Sequence, residues 1–558
     1  MKFSQMPYER PNIEEVKAKL KSILQNFKDA KTAEDFFCEY KEFDTYYNDV
    51  DSMFILAQIR NSLDTTNEFY AAEKAFVDET EPELKEIEQE IIAELLASPF
   101  RKEIEAKWGS LIFLNAEIEL KTFKPEIVAD LQKENALATE YTKLIASAQI
   151  DFDGKTMTLA EFQPYYENPN SSIRKAALTA TSTWYLSKAD QLDDIFSQLV
   201  TLRTDIAKKL GYENFIQLGY YRMTRNCFDA DMVAKFRQGV IEHIVPIVTK
   251  LKREQAKRIG AETIKTADLF FIYPDGNAMP KGTVDDIFAH GKNMYHELSK
   301  ETAEFIDFML ESELFDVLTR PGKAAGGYCH CIPKYKAPFI FANFNGTAGD
   351  IDVLTHEVGH AFADYMAKDI YPSPLRDYSF EIAEIHSMSM EFFTWPWMEG
   401  FFKEQTDKYY HSHLANGLEF LPYGVMVDEF QHLIYQSPQM TSLERNKLWL
   451  ELEAKYRPWL DLTDTPFHDE GRRWQYQPHI YRRPFYYIDY CLAQIIALNF
   501  WAENQSNSKE AWERYMRLVG FAGTKTFVDL VKDTGLPTPF ESNNIKIIAD
   551  AALEWLEK

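Results

Sequence analysis

The chain has 558 residues and a net charge of −26, from 61 lysines and arginines against 87 aspartates and glutamates. Hydrophobic residues make up 45% and charged ones 27%, a globular balance that excludes a mainly disordered chain, and the carboxylate excess repels phosphates and anionic lipids, so neither nucleic acid nor membrane is an expected partner. Glycine and proline, 22 and 24 in number, fall below average usage, which excludes collagen-like and low-complexity classes and favours long helices.

In chain order, Met1 to Val16 carries no apolar run behind its lysine, so no secretory signal is expected. From Ile13 to about Ala148 apolar residues recur at three- and four-residue spacing among dense charge, which predicts helical hairpins. A turn signature at Asp151 to Thr156 interrupts them, and helical patterning resumes at Ser171 and stops at Gly211, a C-cap glycine. A soft boundary falls between 150 and 211, giving an N-terminal helical lobe over 1–211 and a second domain over 212–558. Leu269 to Pro280 and Arg320 to Thr347 hold most of the turn-forming and β-prone residues and predict a small sheet. After Asp350 helices return, ending with one over Asn543 to Leu556. The most apolar stretch there, Cys491 to Trp501, falls short of the roughly 18 residues that a membrane span needs. The cysteines, Cys38, Cys227, Cys329, Cys331 and Cys491, are too few for a disulfide framework. A cytoplasmic protein is expected.

The informative segment is Asp350 to Met366, which contains His356-Glu357-Val358-Gly359-His360. On a helix, residues four apart stand one turn above each other, with Cβ atoms about 5–6 Å apart, so both imidazoles can reach one ion at roughly 2.0–2.1 Å. Glu357 can take a proton from a water that attacks a carbonyl. Such a pentapeptide arises by chance roughly once in forty chains of this make-up, so its flanks decide. Val353, Leu354, Val358, Ala361 and Phe362 draw the pair into the interior, where polar groups need partners. A catalytic zinc with two histidines commonly takes a glutamate as third protein ligand. The next helical segment offers Glu381, Glu384 and Glu391. Glu384 and Glu391 are two turns apart on one face, so one can bind metal while the other holds a ligand histidine. Glu381 reads as a solvated salt-bridge partner and His386 as a helix-surface histidine.

These residues resemble the thimet-like oligopeptidases, and among them the bacterial oligoendopeptidase F and Pz-peptidase branch. The likeness rests on the motif at 356–360 with Glu384 and Glu391 behind it. Upstream, Gly326-Gly327-Tyr328-Cys329 and Ala337 to Thr347 look like the family's substrate-edge segment; downstream, His479 to Tyr490 looks like its His/Tyr segment. The resemblance implies a mainly α, elongated, multi-helix, zincin-like peptidase with a small β-sheet beside the active-site helix and a deep channel for short unstructured peptides. It implies His356, His360 and Glu384 as ligands of one Zn²⁺ per chain. Glu357 is then general base and proton shuttle to the leaving amine, and Glu391 orients a histidine ligand. His479 with Tyr486, Tyr487 or Tyr490 would bind the oxyanion, and Gly326, Gly327, Asn343, Asn345 and Gly346 would lie along the substrate. Between its histidine and tyrosines this chain has Arg482-Arg483-Pro484-Phe485, where the thimet branch is glycine-rich. Asn345-Gly346 is also a plain turn signal, whereas an edge strand would pair its backbone with an extended peptide.

Two rivals remain: a zinc carboxypeptidase on the same scaffold, and a non-catalytic peptide-binding protein that keeps the metal fold. Cys329-His330-Cys331 reads as buried thiols, since a matching second pair for a structural zinc is missing. No phosphate-binding loop or serine elbow occurs. The sequence sets no oligomeric state, and the net charge suggests acidic channel walls that favour cationic peptides.

Overall fold

The helices Ile13–Asp29, Ala33–Leu63 and Glu68–Ala97 follow the spacing of the N-terminal region, each opened by a side-chain cap from Asn12, Thr32 or Asn67. Their inner stripes, such as Val16, Leu20, Ile23 and Phe27, close on one another in a core of 21 buried residues. A separate core of 100 buried residues runs from Met6 to Ala552. The computed structural model describes residues 1–558 and contains 24 α-helices beside three small sheets. The predicted turn at Asp151 is a hairpin of Ile150–Phe152 with Lys155–Met157, in which Asp153 and Gly154 take φ of 50° and 73°, the positive pair that a two-residue type I′ turn requires. The helix Ser171–Lys209 then runs to Gly211 at φ 94°. It carries Arg203, 0% exposed, which binds Glu134 at 2.6 Å, the Tyr435 hydroxyl at 3.1 Å and the Ile480 carbonyl at 3.0 Å.

Arg320 to Thr347 forms a sheet with the preceding segment: Phe315–Leu318, Ala337–Phe344 and Tyr328–Ile332, in that spatial order. Ala337–Phe344 is therefore the central strand, almost wholly buried, and Phe315–Leu318 and Tyr328–Ile332 are the two edges. Leu269 to Pro280 forms no strand. Pro274 and Pro280 lack backbone donors, and the Asn277 side chain accepts from Ile272 N at 2.9 Å and donates to the Phe270 carbonyl at 2.6 Å, so the loop satisfies itself.

Four elements frame the site: a motif helix Gly349–Ala367, a carboxylate helix Phe380–Phe393, a long helix Thr406–Gln436 and a tyrosine helix Tyr487–Ser506. The apolar stretch Cys491 to Trp501 is the buried middle of the tyrosine helix, and no helix is long and apolar enough to cross a membrane. The last helix is Ser542–Leu556.

Candidate active site

Ile351, Leu354, Val358, Ala361 and Phe362 bury one stripe of the motif helix, which turns His356 and His360 to the other side with Glu357 between the two faces. The carboxylate helix crosses at Gly359, where a Cβ would stand only 2.6 Å from the His386 carbonyl oxygen and from Ser387 Cα. This close crossing brings Glu384 Oε2 to 3.2 Å from His356 Nε2 and 3.5 Å from His360 Nε2. The three donor atoms lie within 4.8 Å of one another, and no other group of three histidines, cysteines or acids in the chain does so. Two imidazole nitrogens and a carboxylate are a common zinc set, and atoms bound at roughly 2.0–2.1 Å to a tetrahedral ion stand about 3.3–3.4 Å apart. That matches the separations found, so the residues fit zinc. Burial alone would raise the Glu384 carboxyl, but His360 and His356 outweigh it and hold the group well below the usual carboxylate range.

The second carboxylate takes the other edge of the first histidine. Glu391 Oε1 is 2.7 Å from His356 Nδ1, and its Oε2 is 2.8 Å from Nε2 of His413 on the long helix. Trp395 Nε1 donates to His413 Nδ1 at 3.1 Å. His413 was not among the expected residues; its only sequence signal is a histidine beside buried Leu414 and Ala415. Glu384 is braced as well, by the hydroxyls of Ser387 at 2.9 Å and of Tyr486. Glu381 and His386 depart from expectation. Glu381 is 1% exposed and accepts from Ser379 Oγ at 2.5 Å, with no ion pair; His386 is 0% exposed, and burial drives its imidazole down to about 3. The carboxylate helix is covered on both sides, by the motif and tyrosine helices, so no face of it is left for water.

His479 Nδ1 lies 2.7 Å from Gln477 Nε2, and Gln477 Oε1 accepts from the Tyr423 hydroxyl at 2.8 Å. Burial, helped by Arg482, lowers His479 to about 4, so it is neutral at ordinary pH. Tyr490 places its hydroxyl 3.5 Å from His479 Nε2. Tyr487 packs its ring on His479 at 4.8 Å and Phe420 at 5.5 Å between centroids. Where the thimet branch has glycines, Phe485 itself takes φ 68°. Gln431 accepts its N–H at 2.8 Å, Arg225 donates to its carbonyl, and Gly219 leaves room for its ring. These contacts hold a conformation that side chains normally avoid.

A cavity of about 570 Å³ borders this group. Gly326, Gly327, Asn343 and Asn345 line it, Gly346 does not, and it meets the site at Gly327 and Val353. A Cβ at Gly327 would stand 3.3 Å from Glu357 Oε1. Burial lifts the Glu357 carboxyl above its ordinary range against the pull of His356 and His360. The asparagine side chains are occupied within the protein. Asn343 Nδ2 donates to the carbonyls of Ala324 at 2.9 Å and Gly326 at 2.8 Å, and Asn345 Oδ1 accepts from Thr347 N at 3.1 Å and Oγ1 at 2.8 Å. Gly346, at φ 90°, donates its N–H to Asp350 at 2.7 Å. The backbone of the edge strand Tyr328–Ile332, which continues from Gly326 and Gly327, is what remains for pairing. Burial raises the Cys329 and Cys331 thiols well above their ordinary value, and with His330 they form no metal group.

The profile described as Peptidase family M3 matches residues 165–542, and that of the Peptidase M3 N-terminal domain matches residues 3–123. Oligopeptidase PepF of Bacillus subtilis is 21% identical over 95% of this chain and 81% of its own length. Group B oligopeptidase PepB of Streptococcus agalactiae is 23% identical over 84% and 81%. A solved structure of Pz peptidase A with an inhibitor is 48% identical, with a TM-score of 0.99 over 100% of this chain and 99% of that one. With a family match spanning more than half its length, the chain belongs to peptidase family M3 and is a metallo-oligoendopeptidase.

Proposed function

We propose that the chain is a zinc endopeptidase for internal bonds of short, unstructured peptides, with His356, His360 and Glu384 holding one zinc ion and Glu357 as general base. The convergence of those three donor atoms beside a buried carboxylate carries the reading. Bound zinc supplies a Lewis acid that acidifies water and polarises the scissile carbonyl. Glu357 accepts a proton on its carboxylate and returns it to the leaving amine, and its raised proton affinity suits both halves of that task. Gly327, lacking a side chain, keeps the space before Glu357 Oε1 open for the substrate. Glu391, tied to His413, fixes the His356 ring with Nε2 free for the metal. Tyr423 donates to Gln477, and Gln477 donates to His479 Nδ1, so the proton of neutral His479 sits on Nε2. We assign that N–H and the Tyr490 hydroxyl to the oxyanion, Tyr486 to positioning Glu384, and Tyr487 to packing. Gly326, Gly327 and the edge strand receive the peptide backbone, Asn343, Asn345 and Gly346 shape the loops beside it, and the chain divides into a helical lobe over 1–211 and a peptidase domain over 212–558.

The test is a peptide blocked at both ends, incubated with zinc-loaded protein and with zinc-loaded Glu357→Gln, with products read by mass spectrometry. Internal cuts that vanish on chelation and return with zinc are expected, and Glu357→Gln lowers turnover by about 10²–10⁴-fold while retaining metal. No cleavage of the blocked peptide but release of residues from a free C-terminus would make the protein a carboxypeptidase. Saturable binding without product would make it a binding protein.

A further inference from the structure

The cavity wall carries both acids and cations, and one of its cations lacks a carboxylate partner. Arg473 starts a single helical turn, Arg473–Tyr476, lines the cavity and is only 9% exposed. The other cations on that wall have carboxylate partners: Arg457 forms a two-armed pair with Glu453, and Lys252 is 2.5 Å from Glu419. The cavity's remaining acids are also occupied, Asp350 by the N–H groups of Asn345 and Gly346, Asp352 by the Tyr409 hydroxyl, and Glu167 by Gln163 and Asn277. Arg473 forms no ion pair of its own: Glu453, the carboxylate that acts on it, is already paired with Arg457, and the Nε and Nη1 of Arg473 are buried with no hydrogen-bond partner. Its guanidinium lies over the rings of Tyr423 at 4.4 Å and Tyr476 at 5.3 Å. Arginine cannot shed its charge, and a buried charge without a partner is costly unless something that binds there supplies one.

We propose that Arg473 anchors a carboxylate of the bound peptide, either its C-terminus or an aspartate or glutamate side chain. The proposal rests on the peptidase reading above and adds a fixed point to it. The planar guanidinium offers a donor fork that matches a carboxylate, and the tyrosine rings hold the fork in one plane. An anchor on the wall sets which bond of the peptide lies against Glu357, and therefore selects substrates by the spacing between carboxylate and scissile bond. The anchor also touches the catalytic machinery, because Tyr423, beneath the guanidinium, is the residue that holds Gln477 and through it His479.

The experiment uses full-length, zinc-loaded Glu357→Gln protein, so that binding is read without turnover. Fluorescence anisotropy measures its affinity for four matched peptides labelled at the N-terminus: C-terminal acid or amide, crossed with an internal glutamate or glutamine. At least one acid form binds about tenfold or more tightly than its neutral match, and Arg473→Gln brings that ratio near one. The terminal pair or the side-chain pair, whichever responds, identifies the source of the carboxylate. Arg473→Lys retains the preference at reduced size, and it carries the test if the glutamine variant fails to fold by circular dichroism. Equal binding of every acid and neutral match, or a preference that survives both substitutions undiminished, overturns the proposal. Hydrolysis by the parent protein is scored separately, so failure of the peptidase reading is distinguishable from failure of the anchor.

Discussion

At position 359 a hydrogen atom in place of a side chain lets the carboxylate helix approach the motif helix. Alanine is the better helix former by about 1 kcal/mol, yet its Cβ would meet the backbone of His386 and Ser387 at 2.6 Å. Backbone in a buried helix cannot rotate aside, and overpacking of this kind costs about 1–3 kcal/mol, so the clash outweighs the propensity gain. The helices part, and Glu384 leaves the two imidazoles. Gly359→Ala is therefore expected to lose about 1–3 kcal/mol of stability in the zinc-free protein and at least tenfold in zinc affinity. Denaturant unfolding and a competing-chelator titration read the two quantities. Wild-type values for both would mean that the crossing does not position Glu384.

Among the elements, those whose information is local were legible. The pattern His356-Glu357-Val358-Gly359-His360 lies within one helix, so the placing of both imidazoles on one side follows from spacing, and the hairpin at Asp153-Gly154 follows from turn chemistry. Spacing narrows the proposed third ligand to Glu384 or Glu391, and the family resemblance chooses between them. The structure brings Glu384 Oε2 near both Nε2 atoms and Glu391 to Nδ1. What depends on pairing between distant segments was not legible. Strand order put Ala337–Phe344 in the centre of the sheet rather than at its edge, and a buried central strand has no signature that fixes its neighbours. Glu381 and His386 look solvated by residue type but sit on a helix covered on both sides. His413 meets Glu391, and Gln477 and Arg473 both meet Tyr423, in each case across a long stretch of sequence, so spacing along the chain does not mark these contacts.

Across the whole molecule, Arg203 ties the N-terminal half to the segment that directly follows His479. Its partner Glu134 also binds Arg222 at 2.8 Å. Burial pushes the Glu134 carboxyl up, but Arg222 and Arg203 outweigh it and hold it at about 2 against an ordinary 4.5. Since the folded value is the lower one, the stability it contributes is complete above 4.5 and is lost as pH falls toward 2. The contribution is on the order of 3 kcal/mol. Glu134→Gln leaves two guanidinium groups short of a counter-charge and is expected to be less stable at neutral pH by a similar amount, with a flatter loss between pH 4.5 and 2 than the parent shows. Urea unfolding across that range measures it, and parallel curves for the two proteins would mean that the clamp does not contribute.

The proposed chemistry depends on His356, His360 and Glu384 holding zinc together. Anomalous diffraction from a zinc-loaded crystal, collected on both sides of the zinc absorption edge, tests it most directly. One strong peak is expected, bounded by Nε2 of His356, Nε2 of His360 and a carboxylate oxygen of Glu384, with Glu391 on the far side of the His356 ring. A fully occupied zinc elsewhere with no peak among these three residues, or a peak ligated by Glu391 in place of Glu384, would contradict it.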